Sequence, residues 1–185
     1  MLENEIKALI NKQEFERLKV YLSDKCSVHK SFIQINYYYD NEDHYLSKNK
    51  NTLRIRQIEG QLKIEYKFKK VIINEVRTSQ EYSKFISDMP IAINIFDEFG
   101  IDDNNFYKYI GNLITERSNY YMGEVVISLD KNYYLGKIDY EMEIEGNNSE
   151  NVKKIYNRFD IPNSSLFYPG KFSRYCKALN EFANN

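Results

Sequence analysis

The chain of 185 residues carries 26 Lys and Arg against 27 Asp and Glu, a formal net charge of −1. This balance differs from that of a general polyanion-coating surface, so no nucleic-acid partner is expected. No apolar run approaches the ~20 residues that span a bilayer, and the acidic N-terminus is unlike a secretory signal. We therefore expect a cytoplasmic protein without membrane contact, folded as one domain over residues 1–185.

The sequence contains few residues that could support cysteine or histidine chemistry. The two cysteines, Cys26 and Cys176, have neither metal-ligand spacing nor the number needed for a disulfide framework. The two histidines, His29 and His44, are isolated in polar surroundings. A histidine-based zinc site and a Ser-His-Asp triad are therefore not expected. With 17 Tyr and 11 Phe but three Pro, the composition favours strands around an aromatic-rich core.

The first part of the chain alternates between polar and apolar residues, as strands do. The exception is residues 11–24, where Phe15, Leu18 and Leu22 recur near helical spacing and predict a helix. A tight hairpin is expected at Glu59-Gly60. The predicted strands are 2–10, 30–40, 51–57, 61–70 and a short one at 73–79.

From residue 80 to 113 the pattern changes, and "EYSKFISDM" and "NNFYKYIGNLI" look helical, with a turn at Phe99-Gly100 between them. A meander of three strands follows at 114–122, 124–134 and 137–146. Helices at 149–159 and 171–183 complete the prediction.

Several predicted strands carry charge on one face and apolar side chains on the other. The charged sets are Glu3, Glu5 and Lys7; Arg54 and Arg56; Lys63, Glu65, Lys67 and Lys69; and Asp139, Glu141, Glu143 and Glu145. On any one strand this is the usual wet face of an antiparallel sheet. If the sheet closes into a barrel with helices outside, however, the charged faces converge on an interior that needs a charged ligand, metal ions or water.

The two signs of charge are segregated along the chain. Acidic residues concentrate on the first strand and on strand 137–146, and basic residues on strands 51–57 and 61–70. Clustered carboxylates suit Mg²⁺ or Mn²⁺, whereas Arg and Lys suit phosphate oxygens. A polyphosphate complexed with metal satisfies both sets, and a structural domain with a wet charged sheet is the simpler alternative.

Written as E-x-E-x-K, the first strand resembles the signature of the CYTH family, the triphosphate tunnel metalloenzymes. Later segments match in order: "QINYYYD", "LRIR", the lysine that ends "IEYK", "TERSNYY", "ISLDKNYYLGKIDYEMEIE" and "GKFSRY". The segment "NKQEFERLKVYL" is similar in sequence to a small, uncharacterised bacterial subgroup of that family. The chain departs from the family at Lys63 and Glu65, positions more often uncharged there.

The resemblance implies an α+β fold, a closed antiparallel eight-stranded β-barrel with helices packed outside, whose interior is a triphosphate tunnel. It implies phosphate contacts from Lys7, Arg54, Arg56, Lys67, Arg117, Lys171 and Arg174. It implies Mg²⁺ or Mn²⁺ ligands among Glu3, Glu5, Asp130, Glu141, Glu143 and Glu145, with Glu141 and Glu143 favoured among the last three. Glu3, Glu5, Lys7 and Lys171 are the candidate catalytic residues.

The activity implied by the resemblance is a metal-dependent triphosphatase, with inorganic tripolyphosphate as the first substrate and thiamine or nucleoside triphosphates next. A class IV adenylyl cyclase that makes cyclic AMP from ATP would use the same tunnel, as would a non-catalytic triphosphate or polyphosphate binder. The partner is thus a small-molecule triphosphate. A monomer and a homodimer both remain open.

Overall fold

The computed structural model describes residues 2–26, 28–73, 75–162, 165–166 and 168–183, without the side chains of residues 2, 3, 69, 70 and 73. The strands are β1 (Leu2–Ile10), β2 (His29–Asp40), β3 (Thr52–Ile58), β4 (Gln61–Ile73), β5 (Val76–Ile86), β6 (Ala92–Asn94), β7 (Phe106–Met122), β8 (Val125–Tyr134) and β9 (Lys137–Gly146). The helices are α1 (Lys12–Lys25), α2 (Tyr45–Lys48), α3 (Ile95–Phe99), α4 (Ser149–Tyr156) and α5 (Lys171–Ala183).

Eight of the strands in the described part of the chain form a closed antiparallel ring. Their order is β2-β3-β4-β5-β1-β9-β8-β7, and β7 pairs back onto β2 to complete the circle. The short strand β6 pairs with β7 outside this ring. The closed eight-stranded barrel predicted from the family resemblance is therefore confirmed.

Local signals account for several element boundaries. Asn11 and Glu14 form a reciprocal capping box at the start of α1. In the hairpin between β3 and β4, Glu59 and Gly60 both have positive φ, 50° and 81°, as the turn between two twisted strands requires. The predicted strands and helices outside residues 80–113 are all present, and most of their ends shift by a few residues. The strands predicted at 73–79 and 114–122 are longer in the structure, as β5 and β7.

The two helices predicted within residues 80–113 are wrong. Segment 81–89 largely continues β5, which pairs with β4 as far as Leu62 opposite Ile86. Segment 104–114 belongs to β7, a 17-residue strand that pairs with β2, β6 and β8. Pairing of these segments with β4 and with β2 overrides the local apolar spacing. The helical part is α3, which ends at Gly100 with φ 67°, so the turn expected at Phe99-Gly100 is confirmed.

The apolar faces of β1, β3, β4, β8 and β9 point outward and are covered from outside. Helices α1 and α4 cover β1, β8 and β9, in a core that includes Ile6, Ala8, Leu18, Leu22, Leu129, Met142 and Ile144. The connection from β5 to β7 covers β3 and β4, in a core that includes Leu53, Ile55, Ile64, Tyr66, Ile93 and Ile95. The polar faces are therefore left to line the interior of the ring.

Helix α5 places its first turn against the interior of the barrel at one end. The rings of Phe172 and Tyr175 lie 4.9 and 5.4 Å from that of Tyr38, between centroids. The Tyr175 hydroxyl donates to the Ile110 carbonyl at 3.1 Å. A Cβ on Gly111 would lie 1.6 Å from that hydroxyl oxygen, so this close approach requires glycine. Lys171 thereby reaches the inner wall.

Two expectations from composition can also be compared with the structure. Cys26 and Cys176 are free thiols, in agreement with the absence of a disulfide framework in the prediction. Across the described residues, the helices are too short or too polar to cross a bilayer.

Candidate functional site

The ring of strands encloses a cavity of about 810 Å³ whose lining is strongly charged. Among the described residues, nine cationic side chains line it: Lys7, Lys48, Lys50, Arg54, Arg56, Lys67, Arg77, Arg117 and Lys171. Five carboxylates of the same described part line it with them: Glu5, Glu65, Glu81, Glu143 and Glu145. Positive charge is in excess among these residues, so the cavity is suited to an anion of several charges.

Most of the residues predicted from the resemblance meet at this cavity. Those that line it are Glu5, Lys7, Arg54, Arg56, Lys67, Arg117, Glu143, Glu145 and Lys171. Asp130, Glu141 and Arg174 lie just behind its surface. The backbone of Glu3 pairs with Ser79 of β5, but its side chain lies outside the described part of the structure.

Glu143 is the centre of the acidic wall of the cavity, which comprises Glu5 of β1 with Glu143 and Glu145 of β9. Its Oε1 accepts from Lys7 at 2.8 Å and from Lys171 at 2.6 Å, and its Oε2 accepts from Arg117. Burial raises the pKa of this carboxyl, but the charges of Lys171, Lys7 and Arg117 lower it by more than burial raises it. The pKa of Glu143 therefore lies well below its usual range. Glu143 is therefore ionised at neutral pH.

Lys7 joins the two carboxylates of the neighbouring strands β1 and β9. Its Nζ lies 2.8 Å from Glu5 Oε2 as well as 2.8 Å from Glu143 Oε1. Burial lowers the pKa of Lys7, but Glu143 and Glu5 raise it well above the usual value. Lys7 is therefore an ammonium ion at neutral pH.

A second layer of carboxylates holds the cations in place from behind. Asp130 is fully buried, accepts a bidentate pair of bonds from Arg117 at 2.7 and 2.6 Å, and lies 2.8 Å from Lys171 Nζ. Glu141 Oε2 lies 2.9 Å from Lys171 Nζ and accepts from Arg174 at 2.8 Å. Such pairs fix the orientation of Arg117 and Lys171, since an unpaired buried charge is costly.

The opposite wall, on β3 and β4, is basic around a single carboxylate. Arg54 Nε donates to Glu65 Oε2 at 2.8 Å, and the nearest nitrogen of Arg56 lies 3.5 Å from the same oxygen. Lys67 lies 3.4 Å from Glu81 of β5. The side chains of Arg54 and Arg56 stay 15% and 20% exposed, so both can still contact a ligand in the cavity.

Sequence reasoning did not assign Arg77, which also lines the cavity. Its guanidinium donates to the carbonyls of Leu166 and Tyr168 at 3.0 Å each and lies over the Tyr168 ring. The sequence did predict a short strand that carries both Glu75 and Arg77, but it did not indicate the strand with which this one pairs. Lys48 and Lys50, at and just after the end of α2, were missed because no strand pattern includes them.

The donors of the acidic wall suit a hard divalent cation in their chemistry. Glu5, Glu143 and Glu145 present carboxylate oxygens to one cavity, and such oxygens are preferred by Mg²⁺ and Mn²⁺. Among the described side chains, no three His, Cys, Asp or Glu residues already converge as a metal site. Lys7 lies between Glu5 and Glu143, with its Nζ 2.8 Å from an oxygen of each.

The fold and the site together define a class of protein. These are closed antiparallel barrels whose interior is a tunnel lined by carboxylates and cations. The model of the CYTH domain family matches residues 1–167, and the chain belongs to that family. It is 28% identical over 174 residues to "Putative triphosphatase YjbK" of Bacillus subtilis (strain 168), covering 87% of this chain and 88% of that protein.

Solved structures of similar fold agree with this assignment. A structure of HpAC1 from Hippeastrum, described as a putative adenylyl cyclase with a dominant triphosphatase activity, matches with a TM-score of 0.75 and 22% identity over 95% of each chain. A putative adenylate cyclase from Bacillus halodurans matches with a TM-score of 0.67 and 24% identity, over 92% of this chain and 95% of that one. At these identities the likeness establishes the fold alone.

Proposed function

We propose that the protein is a metal-dependent triphosphatase that hydrolyses the terminal phosphate of inorganic tripolyphosphate, or of an organic triphosphate, with Mg²⁺ or Mn²⁺. One observation carries the proposal: a cationic wall on β3 and β4 faces a carboxylate wall on β1 and β9 across one enclosed cavity. Membership of the CYTH family and the name of the Bacillus subtilis relative support it.

Arg54, Arg56 and Lys67 would bind the phosphate oxygens from the basic wall. Arg117 and Lys171 would bind them from the other side, each held by Asp130 at its back. Charge-assisted bonds of this kind are about twice as strong as neutral ones. In this arrangement Asp130, Glu141 and Arg174 act by positioning the residues that line the cavity.

Glu5, Glu143 and Glu145, together with Glu3 from the same strand as Glu5, would hold the divalent cation. A bound cation supplies neutralisation of the phosphoryl oxygens and activation of the attacking water. Lys7 stands between Glu5 and Glu143, so its ammonium is placed to bind phosphate oxygen beside that cation.

The reaction needs positioning and charge neutralisation more than covalent help from the protein. A water oxygen bonds to the terminal phosphorus and gives up its proton to the phosphate products or to solvent, while the bond from that phosphorus to the bridging oxygen breaks. Tripolyphosphate then yields orthophosphate and pyrophosphate. Negative charge grows on the bridging oxygen as that bond breaks. Lys7 and Lys171, whose pKa values are raised by the surrounding carboxylates against the effect of burial, remain protonated and stabilise that charge.

An adenylyl cyclase activity is the second candidate, because two proteins of the same fold are described as putative cyclases. In that reaction the ribose 3′-hydroxyl attacks the α-phosphorus of ATP and pyrophosphate leaves. A non-catalytic triphosphate binder is the third. For each of these three candidate functions, we propose a cytoplasmic protein that consists of a single domain and has a small-molecule partner.

A substrate panel tests the proposal. Purified protein is incubated with tripolyphosphate, thiamine triphosphate and nucleoside triphosphates, with Mg²⁺, Mn²⁺ or EDTA, and phosphate release and cyclic AMP are measured. We expect metal-dependent phosphate release from tripolyphosphate that EDTA abolishes. Cyclic AMP from ATP would favour the cyclase, and thermal stabilisation by tripolyphosphate without turnover would favour the binder.

The matched variant is Glu5→Gln, which removes a carboxylate charge and keeps the shape of the side chain. Metal-dependent release should be lost while the far-ultraviolet circular dichroism spectrum is kept. Glu124→Gln, which makes the same change at an exposed residue, should leave the activity unchanged. Persistence of activity in Glu5→Gln would mean that Glu5 is not a ligand of the metal.

A further inference from the structure

Glu65 is a buried carboxylate in the middle of the basic wall. It lies on β4 opposite Arg54 of β3, lines the cavity and is 2% exposed. Its Oε2 accepts from Arg54 Nε at 2.8 Å and lies 3.5 Å from Arg56, and its Oε1 lies 3.4 Å from Lys63 Nζ. One negative charge is thus shared among three cations, two of which are assigned to phosphate.

The other carboxylates at the cavity do not account for Glu65. Glu5, Glu143 and Glu145 lie on the neighbouring strands β1 and β9, where a shared cation can bind them. Glu65 lies across the cavity on β4, where its ion pairs in the described part of the chain are with the cations Arg54, Arg56 and Lys63. A ligand role for Glu65 therefore has no support in the geometry.

Burial alone does not require this carboxylate either. The side chains of Arg54 and Arg56 keep 15% and 20% of their surface exposed toward the cavity, so water or an anion can compensate their charges. A buried ion pair is weak evidence of stabilisation, because the desolvation of both charges offsets their attraction. The placement of Glu65 matters more for what binds in the cavity than for folding.

We propose that Glu65 is a specificity-determining residue that limits the charge of the anion which the basic wall accepts. The inference rests on the proposed function of the tunnel. Glu65 cancels part of the positive charge of Arg54 and Arg56 and repels the phosphate oxygens bound to them. Tripolyphosphate, which carries more negative charge than pyrophosphate or a substituted triphosphate, meets the largest repulsion.

The size of the effect follows from Coulomb's law. A like charge at about 6–8 Å from one negative charge of a bound anion weakens binding by roughly thirty- to a hundredfold at the effective dielectric constant of about 20 that suits protein sites. Salt weakens this repulsion only in part, because the pair is enclosed. Removal of the carboxylate should therefore produce a gain in affinity that increases with ligand charge.

The test compares Glu65→Gln with the wild type by isothermal titration calorimetry, using tripolyphosphate and pyrophosphate in EDTA, so that binding is measured apart from catalysis. We expect the Kd for tripolyphosphate to fall by at least about tenfold and that for pyrophosphate to fall less. The KM for tripolyphosphate, measured with metal, should fall in parallel. Glu65→Thr, of smaller volume, serves as a second variant, and Glu124→Gln controls for a loss of negative charge outside the cavity.

An unchanged Kd for tripolyphosphate would overturn the proposal. A higher Kd in Glu65→Gln, which means weaker binding, would also overturn it, since Glu65 would then serve to orient Arg54 and Arg56. If the wild type binds tripolyphosphate without hydrolysing it, the proposed enzyme activity fails while the role of Glu65 can still be decided. If the wild type hydrolyses tripolyphosphate and both variants bind it as the wild type does, only the role of Glu65 fails.

Discussion

Lys171→Met removes the cation on which three carboxylates converge. Its Nζ lies 2.8 Å from Asp130, 2.9 Å from Glu141 and 2.6 Å from Glu143. Methionine keeps most of the volume and the straight chain but provides no charge. The three carboxylates would then face one another without the cation they share, so the free energy of unfolding should fall.

The magnitude depends on the contacts that remain. Breaking a buried ion pair costs about 3–5 kcal/mol when the partner charge is left uncompensated. Each carboxylate keeps another cation: Asp130 keeps Arg117, Glu141 keeps Arg174, and Glu143 keeps Lys7 and Arg117. We therefore expect the lower end of the range, a loss of about 3 kcal/mol at pH 7.

Urea unfolding followed by tyrosine fluorescence measures this loss, since the chain has 17 Tyr and no Trp. With an m-value of about 2 kcal/mol/M, the midpoint should fall by about 1.5 M. The melting temperature should fall by roughly 6–12 °C, at about 2–4 °C per kcal/mol for a chain of this size. Lys177→Met on the same helix, where the lysine is 78% exposed, is the matched control and should change stability little.

The dependence on pH provides an independent check. Lys171 lowers the pKa of Glu141 and Glu143, so its stabilising contribution requires both carboxylates to be ionised. The difference in stability between the wild type and Lys171→Met should therefore narrow as the pH falls from about 4.5 toward about 2. A loss below about 1 kcal/mol at pH 7, or a loss equal to that of Lys177→Met, would refute this account of the network.

Three further predictions concern other parts of the barrel. Arg56→Ala should raise the Kd for tripolyphosphate by roughly ten- to a hundredfold, through the loss of a charge-assisted bond, with kcat less affected; unchanged affinity in calorimetry would exclude Arg56 from the site. The pKa of Glu141 in the folded state is about 2, against an ordinary 4.5. Its ionised form therefore stabilises the fold fully above about pH 4.5, and this stabilisation is lost as the pH falls toward 2, so Glu141→Gln should flatten the acid limb of a stability–pH profile. An unaltered acid limb would contradict the pairing of Glu141 with Lys171 and Arg174. Gly111→Ala, at φ 142° and with its Cβ 1.6 Å from the Tyr175 hydroxyl oxygen and 2.7 Å from Cζ of that ring, should cost more than about 2 kcal/mol in urea unfolding. Tyr175→Phe, which removes the hydroxyl and keeps Cζ, should recover part of this cost. No recovery would mean that backbone strain or the contact with the ring carbon, and not the hydroxyl, is responsible.

Much of the fold followed from the sequence because strands alternate their side chains. The parity of "LENEIK", "LRIR" and "KIEYKFK" was enough to predict which residues share a face, since this depends on the backbone alone. Capping at Asn11 and the Glu59-Gly60 hairpin are equally local and were also readable. The order of motifs along the chain added the family, and with the family came the closure of the barrel.

Tertiary structure decided what depends on neighbours distant in the chain. Segments 81–89 and 104–114 became strands because open edges of β4 and β2 were available to pair with them. Which acidic residues reach the cavity was likewise undetermined by parity, since Glu141, Glu143 and Glu145 share one face. Lys171 and Arg174 of α5 hold Glu141 behind the surface, whereas Glu143 and Glu145 line the cavity. Parity determines the face of a strand to which a charge belongs, and only the packed neighbours determine whether it meets a ligand or another side chain.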